Sequence, residues 1–464
     1  MALKDILKNL PEVVHPVEKK LDFNTKLKWT LIILAGFFIL ANIPLFGLAG
    51  NAMARFQYLA VILGTDFGSI ISLGIGPIVM ASIILQLLVG SKILDIDTKT
   101  EEGKKYFQGL QKLIVFFFII FEASVYVLMK GLQALPGFTW LVIFQLCLGG
   151  LAIVFMDEVV QKYGFGQGVS LFIVAGVGWR LFTGLFQFVG QSGGNCLLGF
   201  SGPSIIACPG KVLSLVQAVV NGDPTGAMLS AVIIAVTALI FLVVVYAQSL
   251  KIEVPLSYDR LRGYGIKWPL AFFYTSVIPV ILVSALSANI QLFGGLVENW
   301  AGHATWLGGF SSGVPISGLA FWLSSTQLTN LIITGSIRSV YFLQAFTHII
   351  FYMALSVLFA FFWVKTSGMD AGSQAKNIIS SGLQIPGFRK DERVLESVLE
   401  RYILPLTIMG GAAIGLLAAS ADLLGALTSG TAILLGVMII YQYYNSIAQQ
   451  HAVDMSPALK KFIS

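Results

Sequence analysis

Ten long apolar stretches constrain this chain more than any other feature, because only a bilayer can bury them all. They run over roughly 28–48, 70–90, 111–130, 138–156, 169–189, 226–250, 270–293, 338–364, 402–421 and 426–446. Each is close to the ~20 residues an α-helix needs to cross the hydrocarbon core. The 464 residues are 56% hydrophobic and only 11% charged, with mean hydropathy +0.84, whereas a soluble domain carries about 25% charged residues. The expected fold is an all-α integral membrane protein with ten transmembrane helices.

Charge sets the orientation. Counting loops alternately from the first span places 24 of the 29 basic residues on one side, and Arg55, Lys130, Arg180, Lys211 and Arg338 on the other. The rich side is the cytoplasmic one by the positive-inside rule. An even number of spans then leaves both termini in the cytoplasm, and the net charge of +6 reads as topology rather than as nucleic-acid affinity. Residues 1–27 are too polar for a cleavable signal peptide, so the first span is expected to act as an uncleaved anchor. Within residues 1–20, Leu3, Ile6, Leu7, Leu10 and Val14 alternate with lysines in the manner of an amphipathic surface helix.

The spans divide five and five around an external loop, 190–225. The expected domains are a cytoplasmic segment 1–27, a first half 28–189, this hinge loop, a second half 226–446 and a tail 447–464. Odd-numbered halves must be inverted relative to each other, an arrangement that commonly surrounds a central pathway. The sequence itself shows no internal repeat. External residues 49–69 carry a short apolar face (Met53, Phe56, Leu59, Leu63) too short to cross, and read as a re-entrant helix. They lead into Gly74-Ile75-Gly76-Pro77 inside the second span, which therefore looks broken. Two long cytoplasmic loops, 251–269 and 365–401, have basic tips suited to an anionic partner.

Catalytic constellations are not evident. Gly164-Phe-Gly-Gln-Gly168 lacks the strand and the Lys of a phosphate loop and reads as close helix packing. The four histidines are scattered, so no metal centre and no cofactor are expected. Cys147 is a small core residue. Cys196 and Cys208 share the external loop and are either paired, as an oxidising face permits, or two free thiols. Glu122 is the main ionisable group within a span and is a functional candidate for that reason. Gln86 and Asn289 are polar partners within hydrogen-bonding reach by their place in neighbouring spans.

Several runs resemble the SecY family: Leu73-Gly-Ile-Gly-Pro77-Ile-Val79, Gln108-Gly-Leu-Gln-Lys112, Lys162-Tyr-Gly-Phe-Gly-Gln-Gly168, Val254-Pro-Leu256 with Arg260-Leu-Arg262-Gly263, Ser276-Val-Ile-Pro-Val-Ile281, Ala288-Asn-Ile-Gln-Leu292 and Gly387-Phe-Arg-Lys390. They occur in order along the whole chain, and the loop wording is similar to the archaeal and eukaryotic branch. The resemblance implies a protein-conducting channel: two inverted five-helix halves, a short re-entrant plug helix over 49–69, and no enzyme activity. Unfolded polypeptides would cross through it and transmembrane segments would leave sideways into lipid.

By position, the family's aliphatic pore ring falls on Ile75, Val79, Val169, Ile173, Ile281 and Leu435. The lateral gate falls on the second, third, seventh and eighth spans, with a polar cluster at Glu122 and Asn289; Met80 stands where the family often has a hydroxyl residue, and Ser82 is nearby. Arg260, Arg262, Arg389 and Lys390 match the docking loops for the ribosome or another motor. The partners implied are SecE-like (gamma) and beta small membrane subunits, the ribosome, signal peptides and nascent polypeptides, and membrane lipid, with no direct reading of nucleic-acid sequence. A secondary transporter would need polar groups at the midplane, where this chain offers aliphatic ones.

Overall fold

A computed structural model describes residues 10–17, 21–51, 67–91, 93–94, 96, 100–189, 195–197, 207–258, 265–275, 277–311, 313–380, 383–384 and 391–455. Among the described residues, nine helices are long and apolar enough to cross a membrane. They are α1 (Phe23–Ala41), α3 (Glu101–Leu128), α4 (Thr139–Tyr163), α5 (Gly168–Phe186) and α7 (Pro224–Ser249), followed by α8 (Ile278–Ala301), α11 (Ser339–Thr366), α13 (Glu392–Leu423) and α14 (Gly430–Met455). The expected second span is broken. Its helical part, α2 (Gly76–Gly90), has 15 residues, and Phe67–Ile75 before it are irregular.

The break has a local cause. Gly68 and Gly74 take φ of +100° and +53°, which interrupts the helix, and Pro77 restarts it in the first turn. Such backbone is tolerated at membrane depth only where protein buries it, and Ile71, Leu73 and Ile75 have no exposed surface. Ser72 Oγ donates to Ser69 O (2.6 Å), and Ile70 N donates to Ile43 O (3.0 Å). On the other side Gly149 of α4 lets the loop lie directly on the helix, since a methyl there would fall 1.9 Å from Ile70 O.

Short elements fill the connections. Antiparallel strands β1 (Leu48–Asn51) and β2 (Leu132–Ala134) pair with each other, and α6 (Lys211–Asn221) precedes α7. Between α8 and α11 lie β5 (Gly309–Ser311), β6 (Val314–Ser317), α9 (Gly318–Leu323) and α10 (Leu328–Ile333). The two long basic loops meet in one sheet. Strands β3 (Lys251–Tyr258) and β4 (Gly265–Ala271) form a hairpin, and β7 (Leu383–Gln384), after α12 (Ala371–Ser380), adds to the other edge of β3 through Ser257↔Gln384 and Tyr258↔Leu383. A small apolar core of Val254, Leu270, Ala375, Leu399 and Ile403 fastens this sheet to α12 and α13.

Two expectations change. Residues 10–17 are not helical; Pro11 and Pro16 interrupt the turn. The segment lies instead as a strap against the end of α4, which Lys112 ties to α3. Val13 N donates to Glu158 Oε2 (2.9 Å), Tyr163 Oη donates to Val14 O (2.8 Å), and Lys162 and Lys112 pair with Glu12 and Glu158. The Lys162 hydrogen bond holds the Glu12 carboxyl below its usual range. The seventh span, expected over 270–293, begins at Ile278 because β4 extends to Ala271 and Pro279 opens the helix.

The close approach at Gly149 gives a direct test. Gly149→Ala must displace backbone and is expected to destabilise by about 1–3 kcal/mol. Gly178→Ala, with nothing within 4 Å of the new methyl, is expected to be neutral or slightly stabilising. Thermal unfolding of both variants in detergent checks the pair.

Candidate functional site

Six aliphatic residues singled out from the sequence occupy equivalent places on four helices, each within the first two turns. Ile75 and Val79 stand at the start of α2, Val169 and Ile173 at the start of α5, Ile281 at the start of α8 and Leu435 near the start of α14. Five of them are between 0% and 6% exposed and belong to one apolar cluster, with Val169 packed against it.

Where those helices begin is fixed by two devices. Pro77 and Pro279 open α2 and α8 without a side-chain cap. The starts of α5 and α14 are held by buried carboxylates from the preceding helix. Asp157 on α4 accepts a hydrogen bond from Val169 N (2.9 Å), and Gln161 also donates to it. Asp422 on α13 accepts from Thr431 N (2.7 Å) and from the Thr431 hydroxyl. A glycine precedes each capped residue. Methyls at Gly168 and Gly430 would lie 2.6 Å from Asp157 Cα and 2.0 Å from Ala421 C. Four residues beyond each capped position sits a residue of the aliphatic set, Ile173 and Leu435. Sequence reasoning missed both aspartates; the signal was an acid followed, eight to eleven positions on, by a Gly before an apolar run.

Glu122, in the C-terminal third of α3, has no exposed surface. Neither carboxyl oxygen has a hydrogen-bond partner among the described residues, and Gly76 leaves the space it occupies, a methyl there falling 3.0 Å from Oε2. The hydrogen bonds expected from Gln86 and Asn289 are not formed. Gln86 Nε2 donates to Ser82 Oγ (3.1 Å) and Asn289 Nδ2 to Ala285 O (2.9 Å), so each satisfies its donor within its own helix. Gln86 Oε1 and Asn289 Oδ1 are left without partners. The helix that carries Gln86, α2, packs against α3 and α8, which carry Glu122 and Asn289, and against α11.

Cys196 and Cys208 form a disulfide with a Cα–Cα distance of 5.2 Å. Cys196 N donates to Phe188 O (2.9 Å) and Gly210 N to Gln187 O (3.0 Å), so the bridge staples the exit of α5 to the entry of α6. Met53, Phe56, Leu59 and Leu63, and the basic residues Arg260, Arg262, Arg389 and Lys390, lie outside the described residues.

An inverted, helix-capped bundle with an apolar centre defines a class of polytopic membrane channel, and comparison with known proteins places it. The SecY family profile matches residues 69–444. Protein translocase subunit SecY of Methanothermobacter thermautotrophicus is 42% identical over 98% of this chain and 96% of its own length. The Methanocaldococcus jannaschii subunit is 37% identical over 99% and 98%. A solved protein-conducting channel superposes with TM-score 0.83 at 36% identity, and Sec61 in a canine ribosome–channel complex with 0.80 at 35%, each covering 98% of both chains. The chain belongs to the SecY family, and it is a multi-pass membrane protein of a channel family rather than of a catalytic one.

The caps carry an expectation of their own. Asp157→Ala or Asp422→Ala leaves buried donors unpaired and is expected to cost about 1–3 kcal/mol. The Asn variants retain one acceptor oxygen and are expected to cost less. Denaturant or thermal unfolding of the four variants checks the order.

Proposed function

We propose that this chain conducts unfolded polypeptides through a waist formed by Ile75, Val79, Val169, Ile173, Ile281 and Leu435, and releases apolar segments into lipid between α2, α3, α8 and α11. The observation that carries the reading is the gathering of these residues into one apolar cluster at the starts of four helices. A narrow aliphatic constriction sheds water and so blocks ions, while its side chains move aside for a chain of any sequence. Residues 49–69 are assigned to a plug on the external face, and 190–225 to the hinge between halves 28–189 and 226–446. The unpaired acceptors of Glu122, Gln86 and Asn289 support a seam at α2, α3 and α8 that is built to part. A solved SecY structure in which the plug stabilises the closed state superposes with TM-score 0.82 at 36% identity.

The protein is assigned to the cell membrane with both termini cytoplasmic. Its expected partners are SecE-like and beta subunits, the ribosome, and signal peptides with their nascent chains. The ribosome reading draws on the canine ribosome–channel neighbour and on the β3–β7 pairing, which joins the bases of both basic loops in one platform.

Replacing several waist residues with Ser is expected to raise ion conductance in planar bilayers, as is deletion of residues 52–63. Because the waist side chains are buried, folded yield is measured alongside. Unchanged conductance with a folded protein overturns the waist assignment. Charge reversal at Arg260, Arg262, Arg389 and Lys390 together is expected to weaken ribosome binding and flatten its salt dependence, at a stability cost within about 0.5 kcal/mol per site. Equal affinity of variant and parent across a salt series counts against the docking role.

A further inference from the structure

We infer that the external segment joining α8 to α11 is a lipid-interface anchor, seated at the boundary between headgroups and acyl chains of the outer leaflet. From Asn299 to Ile337 the sequence contains no Asp, Glu, Lys or Arg. A water-facing connection of this length would ordinarily carry charge. The segment is nevertheless folded, as the hairpin β5–β6 followed by α9 and α10.

Its outward surface carries large apolar side chains. Strand geometry sends Val314 and Ile316 to one face and Pro315 to the other. Pro315 is buried, while Val314 and Ile316 are each 61% exposed. An antiparallel hairpin facing water shows the opposite alternation, polar side out. Beside the hairpin, Trp306 is 76% exposed, and its carbonyl accepts from Leu319 N (3.1 Å), which sets an exposed Leu next to it. Trp300 and Trp322 are exposed as well. Tryptophan with aliphatic neighbours and no charge is the composition of a membrane interface.

On the inner side, side chains of α8 and α11 satisfy backbone groups of the segment, while its exposed polar residues, His303, Ser311, Ser317, Ser325, Gln327, Thr334 and Ser336, are all uncharged or weakly basic. Glu298 accepts from Phe310 N (3.0 Å). Gln344 Nε2 donates to Phe321 O (2.8 Å), Thr347 Oγ1 to Trp322 O (3.0 Å), and His348 Nδ1 lies 2.7 Å from Leu323 O. Paired backbone inside and apolar side chains outside is what a low-dielectric surrounding requires. Lipid is chosen over a protein partner because the patch is continuous with a lipid-facing surface. The exposed apolar stripe Val340, Leu343, Phe346 and Ile350 of the spanning helix α11 begins where the segment ends. The anchor would hold the outer ends of α8 and α11 at a fixed depth. It stands independently of the channel reading.

The test uses the full chain in proteoliposomes of neutral phospholipid, with Cys147→Ser and a nitroxide on Val314→Cys or Ile316→Cys. Power saturation is expected to show both labels reached by oxygen several-fold better than by a water-soluble nickel chelate. Chelate access equal to or above oxygen access puts the hairpin in water and overturns the anchor. Exclusion of both reagents, with label–label broadening that grows with protein density, identifies a second copy as the occupant and also overturns it. Fluorescence quenching by lipids brominated near the headgroup, compared between the unlabelled chain and Trp306→Phe, gives the same reading without a label. Loss of a quenched component in the variant is expected, and no quenched component in the parent overturns the proposal.

Discussion

A spanning helix that begins inside the protein must find acceptors for its first backbone N–H groups, since hydrocarbon offers none. The centre of this molecule is arranged around that constraint. All six aliphatic residues of the proposed waist lie within two turns of a helix start, so the capping chemistry sets their height and direction. At α5 and α14 the acceptor is a buried carboxylate reaching from the preceding helix. The adjacent glycine brings the two backbones close enough for the reach. At α2 and α8 a proline removes one of the orphan donors and presets φ for the first turn.

These devices recur in the same order in both halves: proline at α2 and α8, then aspartate and glycine at α5 and α14. Chain alternation puts the α4–α5 connection and the α13–α14 connection on opposite faces of the membrane. The recurrence is therefore inverted, as five-helix halves demand. No sequence repeat reveals it, because the residues that correspond are scattered: Asp157 with Asp422, Gly168 with Gly430, Val169 with Thr431, Ile173 with Leu435. Physical role is kept between the halves while residue identity around it is not.

How much could be read beforehand follows from what each signal encodes. Hydropathy located the spans, since burial in lipid requires long apolar runs, and glycine and proline located the break before α2. Ends were misplaced where polar residues continue a helix beyond the hydrocarbon. The ninth span was read from 402, yet α13 starts at Glu392, capped by Asp391 accepting from Arg393 N (3.0 Å). Strand β3 lies within a stretch expected as loop, although Ile252, Val254, Leu256 and Tyr258 alternate with polar or turn residues, the period of a strand. For the polar cluster at Glu122 the residue types were legible but not the bonding. An intrahelical acceptor four residues back is always within reach of Asn289 and Gln86, so proximity between spans did not translate into hydrogen bonds between them.

The two kinds of seam in the bundle differ in what parting them would cost. Between α11 and α13, Gly411 and Gly415 bring backbones into contact; a methyl at Gly415 would lie 2.7 Å from Tyr352 O. Separation there forfeits close dispersion contacts across a small-residue interface, where Ser356 Oγ is the unpaired group beside Gly415. On helices α2, α3 and α8, the packed state already contains Glu122, Gln86 and Asn289 with unpaired oxygens. Unpaired buried acceptors raise the free energy of that state by roughly 1–3 kcal/mol each. Were these helices to part, water or a passing backbone N–H would enter, and the acceptors would recover partners that the packed state denies them. On the proposed reading, the lateral route opens here because its closed form is the less satisfied one. The glycine seam keeps α11 and α13 together as a unit while the opening occurs.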